Sequence, residues 1–233
     1  MESLGPELLK LAQIIWINII LSGDNAVVIA MACRGLPPDK QRPGMVLGAL
    51  VAVVLRIVFT VVVAALLSTP FLKIVGGCLL LWISVKLVLS EDEEGGGVVQ
   101  QTAQLWHAIR TVAIADAVMS LDNVLAIAAV AKDSATLLIT GLIISVPLIV
   151  AGSAIIMAVL SRLPLLVWAG AALLGWVAGD MLVSDPWLLG TLGEELIQRI
   201  ELPAAAIGAV FVVALGYVLS RRAARHKTQE QEA

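Results

Sequence analysis

Long apolar runs, interrupted by short polar stretches, dominate the chain. Seven of these runs are long enough to cross a bilayer as a helix, which takes roughly 20 mostly apolar residues. They lie at about 8–33, 44–67, 70–89, 105–131, 135–160, 164–183 and 202–220. Short loops and a polar segment at 221–233 make up the remainder. The pattern therefore predicts an all-α membrane protein with seven transmembrane helices, in which residues 1–233 form a single transmembrane domain.

The two halves of the chain resemble each other. NIILSGDN, from Asn18, aligns with DAVMSLDN, from Asp116, on the pattern (N/D)-x-x-x-S-x-D-N. PFLKIVGGCLLLWISVKLV, from Pro70, aligns without a gap with PLLVWAGAALLGWVAGDML, from Pro164. Each copy holds three spans, and an odd number of spans inserts the second copy upside down, a common plan of secondary transporters. We predict inverted three-helix repeats at 7–89 and 104–183, an acidic Gly-rich linker at 90–103, a seventh helix at 202–220 and a basic tail at 221–233.

Basic loop residues indicate the orientation, because Lys and Arg accumulate on the cytoplasmic side of a membrane. The tail carries Arg221, Arg222, Arg225 and Lys227. We therefore expect a cytoplasmic C-terminus and, with seven spans, an N-terminus outside. The acidic residues Asp185, Glu194, Glu195 and Glu201 then belong to an outer loop. The first span lacks a basic start and is too long for a signal core, so we expect no cleaved signal peptide.

Composition excludes several classes of function. Hydrophobic residues make up 60% of the chain and charged residues 14%, against about a quarter charged in soluble domains. No basic patch with interleaved aromatics is present, so we expect a lipid bilayer rather than nucleic acid as partner. We expect no organic cofactor. Cys33 and Cys78 do not suggest a disulfide framework; packing or a thiol metal ligand are both open. Gly-rich helix faces permit a homodimer.

Charged residues inside the predicted spans are the candidate functional groups. Asp24 lies near the centre of the first span, Asp116 and Asp122 near the centre of the fourth, and Arg56 in the middle of the second. Each unpaired charge at that depth costs about 2.5–3.5 kcal/mol on insertion scales. A bound cation would compensate the carboxylates. Arg56 is either a structural counter-ion or a mobile plug for the empty site.

The two motifs supply a set of oxygen ligands for a metal. The candidate ligands are Asn18, Ser22, Asp24, Asn25, Asp116, Ser120, Asp122 and Asn123. Positions 116 and 122 lie about 120° apart on a regular helix, so their carboxylates converge only if the helix loosens near Ser120. Carboxylate, amide and hydroxyl oxygens suit magnesium, calcium and manganese. Met119 shares the face of Asp116 and either packs or shifts selectivity toward manganese.

The motifs SGDNAVVIA and SLDNVLAIA resemble those of the TerC family of bacterial integral membrane proteins, and the short seven-helix form resembles its YjbE-type branch. The resemblance covers essentially the whole chain. It implies export of Mn²⁺ as substrate across the bacterial cytoplasmic (inner) membrane. Asp24, Asn25, Asp122 and Asn123 match the paired motifs, while Asn18 stands where the second half has Asp116. We expect no enzyme activity and a transporter driven by H⁺ or Na⁺.

Three alternatives are open at this point. A calcium or general cation exchanger would use the same oxygen ligands. An intramembrane aspartyl protease also places two aspartates on separate helices, although the G-x-G-D and P-A-L signatures expected of that class are missing from the sequence. A membrane scaffold without transport would use the polar residues only for helix packing. Metal transport and metal-dependent stability separate these functions.

Overall fold

The computed structural model describes residues 23–66, 69–89, 98–130, 135–163 and 165–231, and all regular structure in these ranges is helical. The helices are α1 (Gly23–Arg34), α2 (Pro38–Leu66), α3 (Leu72–Leu89), α4 (Val98–Val130), α5 (Ala135–Leu160), α6 (Leu165–Val183), α7 (Pro186–Leu192) and α8 (Glu194–Gln231). The expected all-α class is therefore confirmed for the residues described.

Five helical segments in the described ranges are long and apolar enough to cross a membrane. They are Pro38–Phe59, Leu72–Leu89, Leu142–Leu160, Leu165–Val183 and Glu194–Arg222. They correspond to the second, third, fifth, sixth and seventh predicted spans. The first and fourth predicted spans each include residues outside the described ranges, so seven crossings stay a prediction.

Three helices extend beyond the predicted spans, and one was not predicted. α2 begins at Pro38, six residues before the predicted second span. α4 begins at Val98, so residues 98–103 of the predicted linker are helical. The stretch VVQQTA contains neither Gly nor Pro, and Gln and Ala are good helix formers. α8 begins at Glu194, eight residues before the predicted seventh span, and acidic side chains favour a helix N-terminus. The short α7 lies in the predicted outer loop.

One compact unit consists of residues 1–69 and 92–162 and contains α1, α2, α4 and α5. α2 packs along α4, and α1 packs against α4 and α5. The α2–α4 approach is close: a Cβ atom on Gly48 would lie 3.4 Å from a methyl carbon of Val112. Gly44 approaches Leu105 in the same way, so α2 and α4 run parallel. This packing brings the middle of α2 to the middle of α4.

The other compact unit consists of residues 70–91 and 163–233 and contains α3, α6, α7 and α8. α6 packs against both α3 and α8. A Cβ atom on Gly208 would overlap the carbonyl oxygen of Gly175, and one on Gly179 would overlap that of Ala204. Only glycine permits such close backbone approach. These pairs show that α6 and α8 run antiparallel.

Asp185 joins two helices of this second unit. Its side chain is fully buried, and it caps α7 by accepting the Trp187 N–H at 2.9 Å. The same carboxylate accepts the N–H groups of Phe71 (3.1 Å), Lys73 (3.1 Å) and Ile74 (3.4 Å) at the start of α3. The residue expected in an acidic outer loop is thus a buried cap for two helix N-termini, whose free N–H groups need acceptors.

The two compact units cut across the predicted repeats. One contains the first two predicted spans of each repeat, and the other contains the third span of each together with the seventh. Aligned positions on α3 and α6 have similar surroundings: Leu80 and Leu174 are fully buried, and Trp82 and Trp176 are exposed. Two copies of a three-helix repeat would divide between two compact units in this way. The inverted repeat itself stays a prediction.

Candidate metal centre

An ion pair between α2 and α4 forms the centre of the site. Arg56 is 2% exposed and Asp116 is 3% exposed, and the Arg56 Nη2 donates to Asp116 Oδ1 at 2.9 Å. Both residues lie in the predicted spans, where burial without a partner is expensive. Removing one partner of a buried pair typically costs about 3–5 kcal/mol, because the other charge is left uncompensated. Arg56, predicted as a counter-ion or a plug, is therefore bound to one of the predicted ligands.

Ser120 completes this buried group one turn further along α4. Its hydroxyl donates to Asp116 Oδ2 at 3.2 Å and accepts from Arg56 Nε at 3.4 Å. The pairing of Asp116 and Ser120 at i and i+4 places them on one face of α4. Two predicted ligands, the Asp116 carboxylate and the Ser120 hydroxyl, are thus engaged by the same guanidinium.

α1 contributes a carboxylate and an amide to the same compact unit. The Asp24 carboxylate accepts the backbone N–H of Asn25 at 2.8 Å. Asp24 also lies close enough to Arg56 and Asp116 for charge–charge interaction with both. Asp24 of the first predicted motif therefore lies within electrostatic range of the Asp116 site on α4.

The Asn25 side chain is the most unusual polar group of the site. It is 4% exposed, and among the described residues neither its Nδ2 nor its Oδ1 has a hydrogen-bond partner. A buried amide without a partner costs about 1–3 kcal/mol. Such groups call for an explanation, and an oxygen that binds a ligand is one.

For half of the predicted ligands, the side chain lies outside the part of the protein that the structure describes. Asn18 and Ser22 fall outside the described residues. Asp122 and Asn123 lie on α4 with only their backbone described. α4 is a continuous α-helix through Ser120, so the expected loosening there is not present. The segment ADAVMSLDN has no Gly or Pro to break the helix, and positions 116 and 122 remain about 120° apart around its axis.

Sulfur ligands receive no support from the described residues. Met119 is 3% exposed and belongs to the buried core, as a packing residue would. Cys33 is buried and lies against Gly44 at the α1–α2 contact, while Cys78 is exposed. Across the described ranges, no group of three or more His, Cys, Asp or Glu side chains could hold a metal ion. A metal bound here would rely on the mixed set of carboxylate, amide and hydroxyl oxygens.

The oxygen types carried by these side chains are those that hard cations prefer. Asp24 and Asp116 supply carboxylates, Asn25 supplies a carbonyl oxygen and Ser120 a hydroxyl. Oxygen sets of this kind suit Mg²⁺, Ca²⁺ and Mn²⁺ rather than zinc or copper. The two carboxylates and Arg56 leave a formal charge of −1, which also favours a cation.

Comparison with known proteins places this chain in a family. A family model described as "Integral membrane protein TerC family" matches residues 4–229. The Bacillus subtilis (strain 168) membrane protein YjbE is 38% identical over 210 residues, which cover 90% of this chain and 95% of YjbE. No solved structure matches the chain.

Two further relatives match about half of the chain. The YceF and YkoY proteins of Bacillus subtilis (strain 168) are each 27% identical, over 132 and 124 residues. The aligned parts cover 51% of YceF and 38% of YkoY. All three relatives are named as uncharacterized membrane proteins, so they bear on family and membrane location and leave the substrate open.

Proposed function

The chain belongs to the TerC family of integral membrane proteins, and from this membership we propose that it is a secondary transporter for divalent metal. The substrate is Mn²⁺, and the direction is export across the cytoplasmic membrane of a bacterium. The metal binds at the centre on α1 and α4, with Asp24, Asn25 and Asp116 as ligands. Entry of H⁺ or Na⁺ drives the export.

One observation carries the proposal: a buried amide that has no hydrogen-bond partner among the described residues is adjacent to a carboxylate in a membrane protein. Asn25 and Asp24 are adjacent on α1, and Asp24 interacts electrostatically with Asp116 on α4. Polar groups at membrane depth are costly and usually mark an ion or substrate pathway. Packing alone would not require a buried amide, and in the described part of the protein this one forms no hydrogen bond.

The charge of the site supports coupling to H⁺ or Na⁺. Metal ligands must be deprotonated, so metal binding releases any protons that the carboxylates hold. An entering H⁺ or Na⁺ would in turn compensate Asp24 after the metal has left, while Arg56 is already paired with Asp116. This exchange keeps the buried charge small throughout the transport cycle.

Metal uptake into everted membrane vesicles tests the proposal, because export from the cell appears there as uptake. Asp24 is the most informative residue, since it lies outside the buried Arg56–Asp116 pair. We expect Asp24→Asn to reduce Mn²⁺ uptake by about tenfold or more, the effect of losing about 1.4 kcal/mol or more of binding. Asp122→Asn should do the same if the second motif completes the site.

The matched control is Glu195→Gln, which removes an acidic residue that is paired with Arg199 on the exposed surface of α8. It should leave uptake unchanged. Transport that survives both Asp24→Asn and Asp122→Asn would contradict the proposed site.

The same vesicles distinguish Mn²⁺ from Ca²⁺ and Mg²⁺, which the oxygen ligands also suit. Excess Ca²⁺ or Mg²⁺ should leave Mn²⁺ uptake largely intact in a manganese exporter and abolish it in a general cation exchanger. A scaffold without transport predicts that Mn²⁺ does not raise the melting temperature of the purified protein, because only ligand binding to the native state stabilises it by mass action.

A further inference from the structure

Arg56 occupies the oxygens that the transported metal would need. Its guanidinium donates to the Asp116 carboxylate at 2.9 Å and to the Ser120 hydroxyl at 3.4 Å. All three side chains are at most 3% exposed. Any cation that binds Asp116 therefore has to compete with a cation already attached to the protein.

The ligand set is divided between the two helices. On α4, Asp116 and Ser120 are engaged by Arg56. On α1, the Asn25 amide has no partner among the described residues, and Asp24 accepts a backbone N–H. An incoming metal would thus meet the α1 oxygens first and would gain Asp116 only by displacing the guanidinium.

Arginine is suited to such a role by its chemistry. Its guanidinium stays protonated at all physiological pH values and can donate several hydrogen bonds at once. It can therefore compensate a buried carboxylate without taking up a proton or an ion from solution. A carrier without metal must also cross between its two states, and an uncompensated carboxylate at membrane depth would oppose that step.

We propose that Arg56 is a tethered substitute cation: it binds Asp116 and Ser120 when metal is absent and leaves them when metal binds. This inference rests on the proposed metal transport and adds the step that returns the carrier without metal (the empty carrier), in which H⁺ or Na⁺ compensates Asp24 and Arg56 compensates Asp116. The loaded carrier does not depend on Arg56, because the metal then compensates Asp116. The empty carrier does depend on it.

Two measurements on Arg56→Gln test this role. Apparent affinity is the intrinsic affinity multiplied by the fraction of sites that are free. With Arg56 occupying about 90% of sites, its removal should make Mn²⁺ bind the purified variant about tenfold more tightly. In proteoliposomes, exchange of Mn²⁺ for Mn²⁺ should continue, because it uses only the loaded carrier. Net Mn²⁺ transport should fall by about tenfold or more, because it needs the empty carrier to return.

A purely structural ion pair predicts a different result. If Arg56 only holds α2 against α4, Arg56→Gln should weaken Mn²⁺ binding, and exchange and net transport should fall together; that result would overturn the proposal. Arg199→Gln is the matched control, since it removes an exposed arginine from an ion pair on α8 and should change neither binding nor transport.

A second variant keeps the test decisive if Arg56→Gln does not fold. Lysine keeps the charge but lacks the guanidinium fork, so Arg56→Lys should compete less and bind Mn²⁺ more tightly than wild type. Unchanged or weaker binding by this variant would overturn the proposal.

If the wild-type protein binds no Mn²⁺ and Asp24→Asn leaves Mn²⁺ uptake unchanged, both the proposed function and this inference fail. If it binds Mn²⁺ through Asp24 but Arg56 variants bind no tighter, only the inference fails.

Discussion

At the scale of single residues, the site combines a carboxylate whose charge is compensated with an amide that has no hydrogen-bond partner in the described ranges. Asp116 is bonded by Arg56 and Ser120, so its buried charge is compensated within the protein. Asn25 is equally buried, and its amide has no partner among the described residues. Stability alone would select an apolar side chain at position 25, because an unsatisfied buried amide is destabilising. The amide is therefore better explained by binding than by folding.

Asn25→Leu separates these two roles because it should move stability and binding in opposite directions. Leucine has a similar shape without polar atoms, so the metal-free variant should be more stable, by up to about 1–3 kcal/mol. Mn²⁺ binding should weaken because one oxygen ligand is lost. Thermal unfolding of purified protein, with and without Mn²⁺, measures both effects. A variant that is less stable without metal would show that the amide has a structural partner.

At the scale of helices, apolar patterning predicted most of the described elements. The fifth predicted span, 135–160, coincides with α5 (Ala135–Leu160), and the third and sixth differ from α3 and α6 by one or two residues at their starts. These helices are found from sequence because nearly every residue in them is apolar. The partner of Arg56 could not be found in this way, since Asp116 is 60 residues away in the chain.

The cap at Asp185 shows the same limit. An Asp followed by Pro is typical of a helix N-cap, so the sequence contains a local signal for the start of α7. The bonds to the start of α3 span 111 to 114 residues and depend on packing within the unit. The sequence therefore predicts Asp185 in the acidic outer loop together with Glu201, because charge does not distinguish the two residues.

Replacing Asp185 tests the importance of this double cap. Asp185→Ala leaves buried N–H groups at the starts of α3 and α7 without an acceptor, and we expect a loss of about 1–3 kcal/mol in stability. Glu201→Ala, at an exposed acidic residue of α8, is the control and should stay within about 0.5 kcal/mol of wild type. Thermal unfolding in detergent compares the two. Equal melting temperatures would mean that water replaces the carboxylate at no cost.

At the scale of the whole molecule, orientation decides whether transport by this site is export. Basic residues at 221–227 predict a cytoplasmic C-terminus. α8 connects this region to the acidic end at Glu194 through a membrane-compatible segment of 29 residues, Glu194–Arg222. At 1.5 Å per residue such a helix is about 44 Å long, enough to cross a hydrocarbon core of about 30 Å with both ends in the interfaces. The two ends of α8 should therefore face opposite sides.

Labelling of single cysteines tests this orientation directly. In a variant with Cys33 and Cys78 replaced by serine, the cysteine introduced by Glu195→Cys should react with a membrane-impermeant maleimide. The reagent is added to cells whose outer layers have been removed and whose cytoplasmic membrane is intact. Arg222→Cys should react only after the membrane is permeabilised. Both positions are exposed and lie at the two ends of the membrane-compatible segment, so a difference in labelling reports the side of the membrane rather than burial. Labelling of Arg222→Cys in intact cells, with Glu195→Cys protected, would reverse the topology, and uptake into everted vesicles would then measure import.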